Sequence, residues 1–168
     1  DKCGKAMGFD YPAGPIIDKH SKNGNSKKFK FPIPKVKGLD FSFSGFKTSV
    51  LNFINKNLIL DQNFIKNNVE DLCASIQFTL IEILMVKINL AVRKTGITQI
   101  ALGGGVAANS ELRKRILHEG EKNNLKTYIP NIDYTTDNAA MIALVGYLKY
   151  KNLHLGNLKQ KALSNYKI

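Results

Sequence analysis

The chain has 168 residues, 43% hydrophobic and 23% charged, enough to bury one core and ordinary for a globular domain. Its 25 Lys and Arg outweigh 13 Asp and Glu, and a net charge of +12 suits a polyanion such as nucleic acid or an acidic surface, although Lys and Asn also abound throughout as a compositional bias. Cys3 and Cys73, with no Cys-x-x-Cys and no Asn-x-Ser/Thr, exclude a disulfide framework and point to a reducing cytoplasmic setting.

Lys2 to Met7 is expected to be the tail of a helix stopped by Gly8; no capping residue precedes it, and with no methionine at position 1 the chain reads as a piece of a longer protein. Tyr11-Pro12-Ala13-Gly14-Pro15 predicts a turn, and Ile16 to Lys22 a short helix ended by Asn23-Gly24. Lys27 to Lys37 is a loop or extended segment, and Asp40 to Ser44 is extended. Lys47 to Asn55 is a helix with Val50, Leu51 and Ile54 on one face. The longest element is a helix over Asn63 to Lys94, closed by Gly96. Its apolar residues recur in steps of three and four, and Phe78, Met85 and Ile88 fall off that stripe, so its second half is buried on more than one side. Gln77, Glu82, Lys87 and Asn89 interrupt the apolar run Leu72 to Val92, which fits a buried helix and not a membrane span.

Strand Thr98–Leu102, helix Asn109–Asn123, strand Lys126–Ile129 and helix Asn138–Tyr150 follow with short joints, which implies parallel pairing through a right-handed crossover. Two strands are too few for a stable parallel sheet, so further strands are expected before Asp1. Ser164 to Ile168 reads as a frayed end.

The chemistry concentrates in residues 97–141. There an apolar strand runs into Gly103-Gly104-Gly105, and the glycines open a helix. Glycine lets backbone approach a ligand, and free N–H groups at a helix start suit a phosphate. The alternative is a glycine turn needed only for strand–helix packing, with Asn109 as the helix cap. The spacing Gly103-x-Gly105-x-x-Ala108 also fits a dinucleotide fingerprint, but the next strand ends in Pro130-Asn131 where an acidic residue is required. Asp137 lies between a strand and a helix, where a carboxylate serves as a hard metal ligand or as an N-cap. His20, His118 and His154 form no His-x-x-x-His pair. Lys22, Lys27, Lys28, Lys30, Lys35 and Lys37 form the densest basic stretch, interleaved with Phe29 and Phe31. It is a polyanion grip or a solvated loop whose aromatics anchor it to the core.

Four blocks, in order, resemble one family. They are Asp1-Lys2 with Tyr11-Pro12-Ala13-Gly14-Pro15, then Leu39-Asp40-Phe41-Ser42-Phe43-Ser44-Gly45-Phe46-Lys47-Thr48, then Gly104-Gly105-Val106-Ala107-Ala108-Asn109, then Asp137-Asn138-Ala139-Ala140-Met141. Together they are similar to the C-terminal lobe of the tRNA N6-adenosine threonylcarbamoyltransferase family, TsaD, once described as glycoproteases. The family's Pro-Gly-Gly-Pro is Pro12-Ala13-Gly14-Pro15 here, and its usual leucine is Phe46.

The resemblance implies an α/β fold, part of the second lobe of an actin-like, Hsp70-like (ASKHA, ribonuclease H-like) architecture, helix-rich with a few strands. The first strands and the whole first lobe would be missing. Residues 1–168 would be a single C-terminal lobe, with a family-specific helical and loop insertion at 16–60 and a strand–helix–strand–helix nucleotide-binding core at 97–150. The implied reaction moves a threonylcarbamoyl group from its AMP mixed anhydride to N6 of adenosine 37 in tRNAs that read ANN codons. Asp1, Gly14, Gly103, Gly104, Gly105 and Asn109 would hold an adenylate-type ligand: threonylcarbamoyl-AMP, ATP or ADP. Asp137 would bind one iron or zinc ion, completed by histidines absent from this chain, and the six lysines would contact tRNA. Partners would be the missing N-terminal lobe, a paralogue-like dimer partner and a small ATPase, in the cytoplasm and away from membranes. The chain alone is expected to be inactive, and no covalent nucleophile is expected. Alternatives are a non-catalytic nucleotide- or partner-binding lobe, a sugar-kinase-like phosphotransferase, and a glycoprotease. The last is disfavoured because no Gly-x-Ser-x-Gly surrounds Ser42 or Ser44.

Overall fold

In the computed structural model the chain runs α1 (Lys2–Ala6), α2 (Ala13–Ser21), α3 (Ser44–Leu60), α4 (Phe64–Thr95), β1 (Gln99–Ala101), α5 (Ser110–Asn123), β2 (Lys126–Tyr128) and α6 (Ala139–Lys151). The structure describes residues 1–157, 159 and 161. The segment expected to fray, 164–168, lies outside the described residues.

α4 is the wall between two cores. Leu72, Cys73, Ile76 and Ile83 pack with Phe46, Val50 and Ile54 of α3, Ile17 of α2 and Cys3 of α1. Ile81 and Met85 instead meet Leu112 and Ile116 of α5, with Ile100, Leu102 and Ile129 of the sheet region beside them. Burial on both sides explains why its apolar residues overflow one helical stripe. By length and composition α4 is also apolar enough to cross a membrane. Gly96 closes it in the left-handed conformation at φ 68°, its N–H donating to the Val92 carbonyl. Near its start Asn68 leaves helical geometry at φ −132° and ψ 18°, and the Asn68 amide donates to the Phe64 carbonyl at 2.9 Å.

The basic loop after α2 is tied down by its aromatics. Phe29 sits 5.3 Å from Phe53 and 5.8 Å from Phe64 between ring centroids, and Phe31 sits 5.4 Å from Phe53 and 6.0 Å from Phe46. Ser75, fully buried, accepts from the Phe29 N–H at 3.2 Å and donates to the Asn25 carbonyl at 3.3 Å. Lys87 is buried to its ammonium, which donates to the Val36 and Gly38 carbonyls at 2.8 and 2.7 Å. These bonds satisfy a charge that burial alone would make costly.

β1 and β2 pair in parallel, with Gln99 opposite Lys126 and Ala101 opposite Tyr128, as the strand–helix–strand pattern predicts. The glycine that permits close helix–strand packing is Gly120. A Cβ there would lie 2.7 Å from Thr127 Cγ2 and 3.1 Å from the Leu125 carbonyl oxygen.

Several expectations are corrected. α2 begins at Ala13, three residues before Ile16, because Pro15 falls in the first turn, where a missing N–H costs no helical bond. α3 extends beyond 47–55 at both ends, so Ser44 is helical, and Phe43 at φ −101° and ψ −11° has already left the extended region. No residue of α6 is buried, and Ile142, Leu144, Val145 and Leu148 are each half or more exposed.

Candidate functional site

Two residues that sequence places 13 positions apart meet at the start of α2. Asp1 Oδ1 accepts from the Ala13 N–H at 2.8 Å and from the Gly14 N–H at 3.1 Å. The leading N–H groups of a helix lack internal partners, and Pro12 in the N-cap position has no side-chain acceptor to offer. Asp1 therefore caps α2 from outside it and puts negative charge at its positive end. Space over Gly14 is open: nothing lies within 4 Å of where a Cβ would stand.

One turn further along α2, on the same face, comes Asp18. Its Oδ1 accepts from Gln77 Nε2 at 3.1 Å, Asn109 Nδ2 at 3.2 Å and Ser110 Oγ at 2.9 Å, and its Oδ2 accepts from the Ser110 N–H at 3.3 Å. Asn109 Nδ2 also donates to Gln77 Oε1 at 2.8 Å, while its Oδ1 caps α5 by accepting from the Leu112 N–H at 2.9 Å. Asn109 is thus an N-cap, one of its two expected roles, and both of its amide hydrogens are engaged. A ligand bond to Asn109 would fall to the remaining lone pair of Oδ1.

Asp18 and Gln77 were missed by sequence reasoning. They lie 91 and 32 residues from Asn109, and no local pattern marks either one.

The glycine loop departs from expectation. Gly103–Gly105 do not open α5; a 3-10 turn over Gly105–Ala108 intervenes, closed by Ala107 N–H donating to the Gly104 carbonyl at 2.9 Å. The N-terminus of α5 already has protein oxygens from Asn109 and Asp18, so it is not the bare anion site predicted. Gly104 sits at φ 80° and ψ 174°, a region essentially reserved for glycine. No heavy atom comes within 4 Å of a Cβ built at Gly103, Gly104 or Gly105, so helix–strand packing does not explain the glycines. Arg113 clamps the loop, donating to the Ala107 carbonyl at 2.9 Å and to the Pro130 carbonyl at 2.7 Å. The result is a stretch of glycine backbone that is tied at its Ala107 end and faces open space.

Asp137 is exposed and lies after a 3-10 turn, Ile132–Tyr134. Asn138, not Asp137, caps α6, accepting from the Met141 N–H at 3.1 Å. Among the described residues no three His, Cys, Asp or Glu gather as metal donors. A lone exposed carboxylate is too small a donor set to hold a metal ion by itself. His20 stacks on Phe9 at 5.6 Å, and among the described residues no hydrogen bond links a histidine to Ser42 or Ser44.

Of the six lysines, Lys28 is spent internally. Its ammonium donates to Asp71 Oδ2 at 2.6 Å and Asn68 Oδ1 at 2.8 Å, and it lies over the Phe29 ring. That bond, with a second from the Asn25 N–H, holds the Asp71 carboxyl below the ordinary carboxylate range. Lys22, Lys27, Lys30, Lys35 and Lys37 are exposed.

A family model described as TsaD, tRNA N6-adenosine threonylcarbamoyltransferase, matches residues 1–144. The chain belongs to this family. Relatives called tRNA N6-adenosine threonylcarbamoyltransferase are 51% identical over the whole chain in Riemerella anatipestifer and 49% identical over 99% of it in Christiangramia forsetii. One from Thermosipho africanus is 45% identical over the whole chain. The chain spans about half the length of these relatives: 49%, 49% and 50%. A helix-rich α/β unit with a small parallel sheet fits a partial TsaD domain.

Proposed function

We propose that the protein transfers a threonylcarbamoyl group from threonylcarbamoyl-AMP to N6 of adenosine 37 in tRNAs reading ANN codons, and that this chain is its C-terminal lobe, within an actin-like two-lobe architecture. The observation that carries the reading is membership of TsaD over residues 1–144. In the reaction the N6 amine attacks the carbamoyl carbon, a C–N bond forms, the bond to the phosphate oxygen breaks, and AMP leaves with the electron pair. The displaced proton passes to solvent or to the departing phosphate.

The residues of this chain position and do not attack. The open backbone at Gly103–Gly105 and Gly14 admits the adenylate part closely, Asn109 offers its spare lone pair, and Asp1 Oδ2 offers an acceptor to ribose hydroxyls. Residues 97–150 make up the nucleotide-binding core, and 16–60 the family-specific insertion. Asp137 supplies one ligand for an iron or zinc ion, with histidines from the other lobe supplying the rest. The exposed lysines of 22–37 meet tRNA. The N-terminal lobe, a paralogue-like partner and a small ATPase complete a cytosolic assembly, and the lone lobe is inactive.

The test is nucleoside mass spectrometry of unmodified tRNA incubated with the full-length protein, its partners, ATP, threonine, bicarbonate and the enzyme that makes the adenylate. Threonylcarbamoyladenosine should form with the wild type and vanish with Asp137→Ala, an exposed substitution that leaves folding intact. A complete, folded assembly that makes no product would overturn the reading.

A further inference from the structure

Two hollows flank the turn at Ser26, and they share Ser26 and Phe78 as a common wall. The first, about 320 Å³, is walled by Phe29, Phe31, Ile33 and Phe78, with Lys27 and Lys30 beside them. The second, about 310 Å³, is lined by Lys22, Lys114, Ser21, Ser110 and Gln77. One is aromatic and the other cationic and polar. Each falls in the size range, from about 300 Å³ upward, of small-ligand pockets.

The carboxylates nearby do not cancel the lysines. Glu82, in the first hollow, is ion-paired with Arg115. Glu111, in the second, stands in the first turn of α5, where the helix dipole favours it. Four lysines therefore line the joined groove against one lining carboxylate without an ion-pair partner among the described residues, with the Asp18 carboxylate behind Ser110 and Gln77 already accepting four hydrogen bonds.

A hollow walled by aromatic side chains and adjoining a cationic one matches one repeat of single-stranded nucleic acid, a base followed by its phosphate. A duplex cannot use it, since its bases are already stacked and paired. An acidic peptide would engage the lysines but leave the aromatic chamber without a flat partner.

We propose that this joined groove takes one unpaired nucleotide of the RNA substrate, its base against Phe78, Phe29 and Phe31 and its phosphate between Lys22 and Lys114. The groove adjoins the Asp1–Gly14–Asn109 face through Gln77 and Ser110 without including those three residues, and Lys114 belongs to it although it lies far outside the basic stretch in sequence. The proposal rests on the reading that the substrate is tRNA, and it adds where a loop nucleotide seats.

The experiment is fluorescence anisotropy with the full-length protein and a labelled anticodon stem-loop of a tRNA reading an ANN codon. Comparison arms are a blunt RNA duplex of equal phosphate count, stem-loops with one loop base removed at a time, and AMP as competitor. The K22Q/K114Q double variant should weaken stem-loop binding about tenfold and flatten the salt dependence by about 1.4, at about 0.7 per single-strand phosphate contact. F78A should weaken it about tenfold and leave the duplex unaffected, and one abasic stem-loop should lose as much with the wild type and nothing more with F78A. I33S, at a residue already 43% exposed, repeats the F78A test where folding is not at stake. Variants that melt like the wild type yet bind the stem-loop equally well overturn the groove assignment. Full displacement by AMP assigns it to a free nucleotide instead, which also overturns it. If the wild type itself fails to bind the stem-loop, it is the tRNA reading that falls.

Discussion

Replacing Asp18 with alanine tests the network that joins α2 to the glycine loop. The carboxylate accepts four hydrogen bonds, but the loss is smaller than four full bonds. Gln77 Nε2 keeps Ser21 Oγ at 2.8 Å, Asn109 Nδ2 keeps Gln77 Oε1, and Ser110, exposed, is free to hydrate. What remains is a charge-assisted, part-buried interaction worth about 2 kcal/mol, within the range of about 1.5–3 for bonds to charged groups. In a chain of this size that lowers the melting temperature by about 4–8 °C. Asn109→Ala removes the cap of α5 as well, and a lost cap alone costs about 1 kcal/mol. Because the two residues share bonds, the double variant should lose less than the sum of the singles, with a coupling of about 1 kcal/mol. Urea denaturation of the wild type, both single variants and the double variant measures all of this. An Asp18→Ala loss below about 0.5 kcal/mol, the scale of a neutral surface change, would refute the network's role, and strict additivity would refute its cooperativity.

Gly103→Ala and Gly105→Ala should leave the melting temperature unchanged, because a Cβ at either position meets nothing, yet both should lose stabilisation by an adenylate ligand in a thermal-shift titration. Gly104→Ala should lose both, since its φ of 80° and ψ of 174° cost a residue with a side chain about 1–3 kcal/mol; equal melting for all three would contradict the strain argument. Asp71 has a folded pKa below its unfolded value of about 3.9, so the Lys28–Asp71 tie is fully present above that value and is lost as pH falls through the folded one. Asp71→Asn should accordingly flatten the acid limb of the stability–pH curve and leave its slope near neutrality unaltered. Burial pushes the Cys73 thiol up to about 12, with Glu70 adding to it, so iodoacetamide at about pH 8 should label it only as the protein unfolds, as mass spectrometry of labelled peptides would reveal. Rapid native labelling at Cys73 would contradict its burial.

Much of the architecture follows from periodicity that any reader of the chain can count. The two-sided burial of α4 is visible in Phe78, Met85 and Ile88 falling off the stripe, and the parallel pairing of β1 with β2 follows from the short joints around α5. The ends of α2 and α3 were less legible. A proline reads as a helix breaker until its position in the first turn is known, as with Pro15. The kink at Asn68 is equally hidden, because its amide both replaces a helical bond and receives Lys28 from a distant loop. At the candidate site, Asp1, Gly14 and Asn109 were found by wording shared with a family. Asp18 and Gln77 had no such signal to the eye, since their importance lies in one another's company across 59 residues. Gly120 was overlooked for the opposite reason: the triple glycine drew the packing argument, and the close contact lay elsewhere.

α6 has a consequence for how firmly Asp137 is placed. A helix of 13 residues is marginal in water by itself, and α6 draws little from packing, since none of its residues is buried. Its sides are apolar all round, the pattern of a helix that other chain encloses. In hydrogen exchange its amides should therefore open with the lowest local free energy of the helices, while those of α4 should open only with the whole fold. Asp137 and its neighbour Asn138, the cap of α6, ride on that element. The orientation of the carboxylate is thus inherited from whatever encloses α6, and the enclosing surface becomes a silent determinant of the site without touching it.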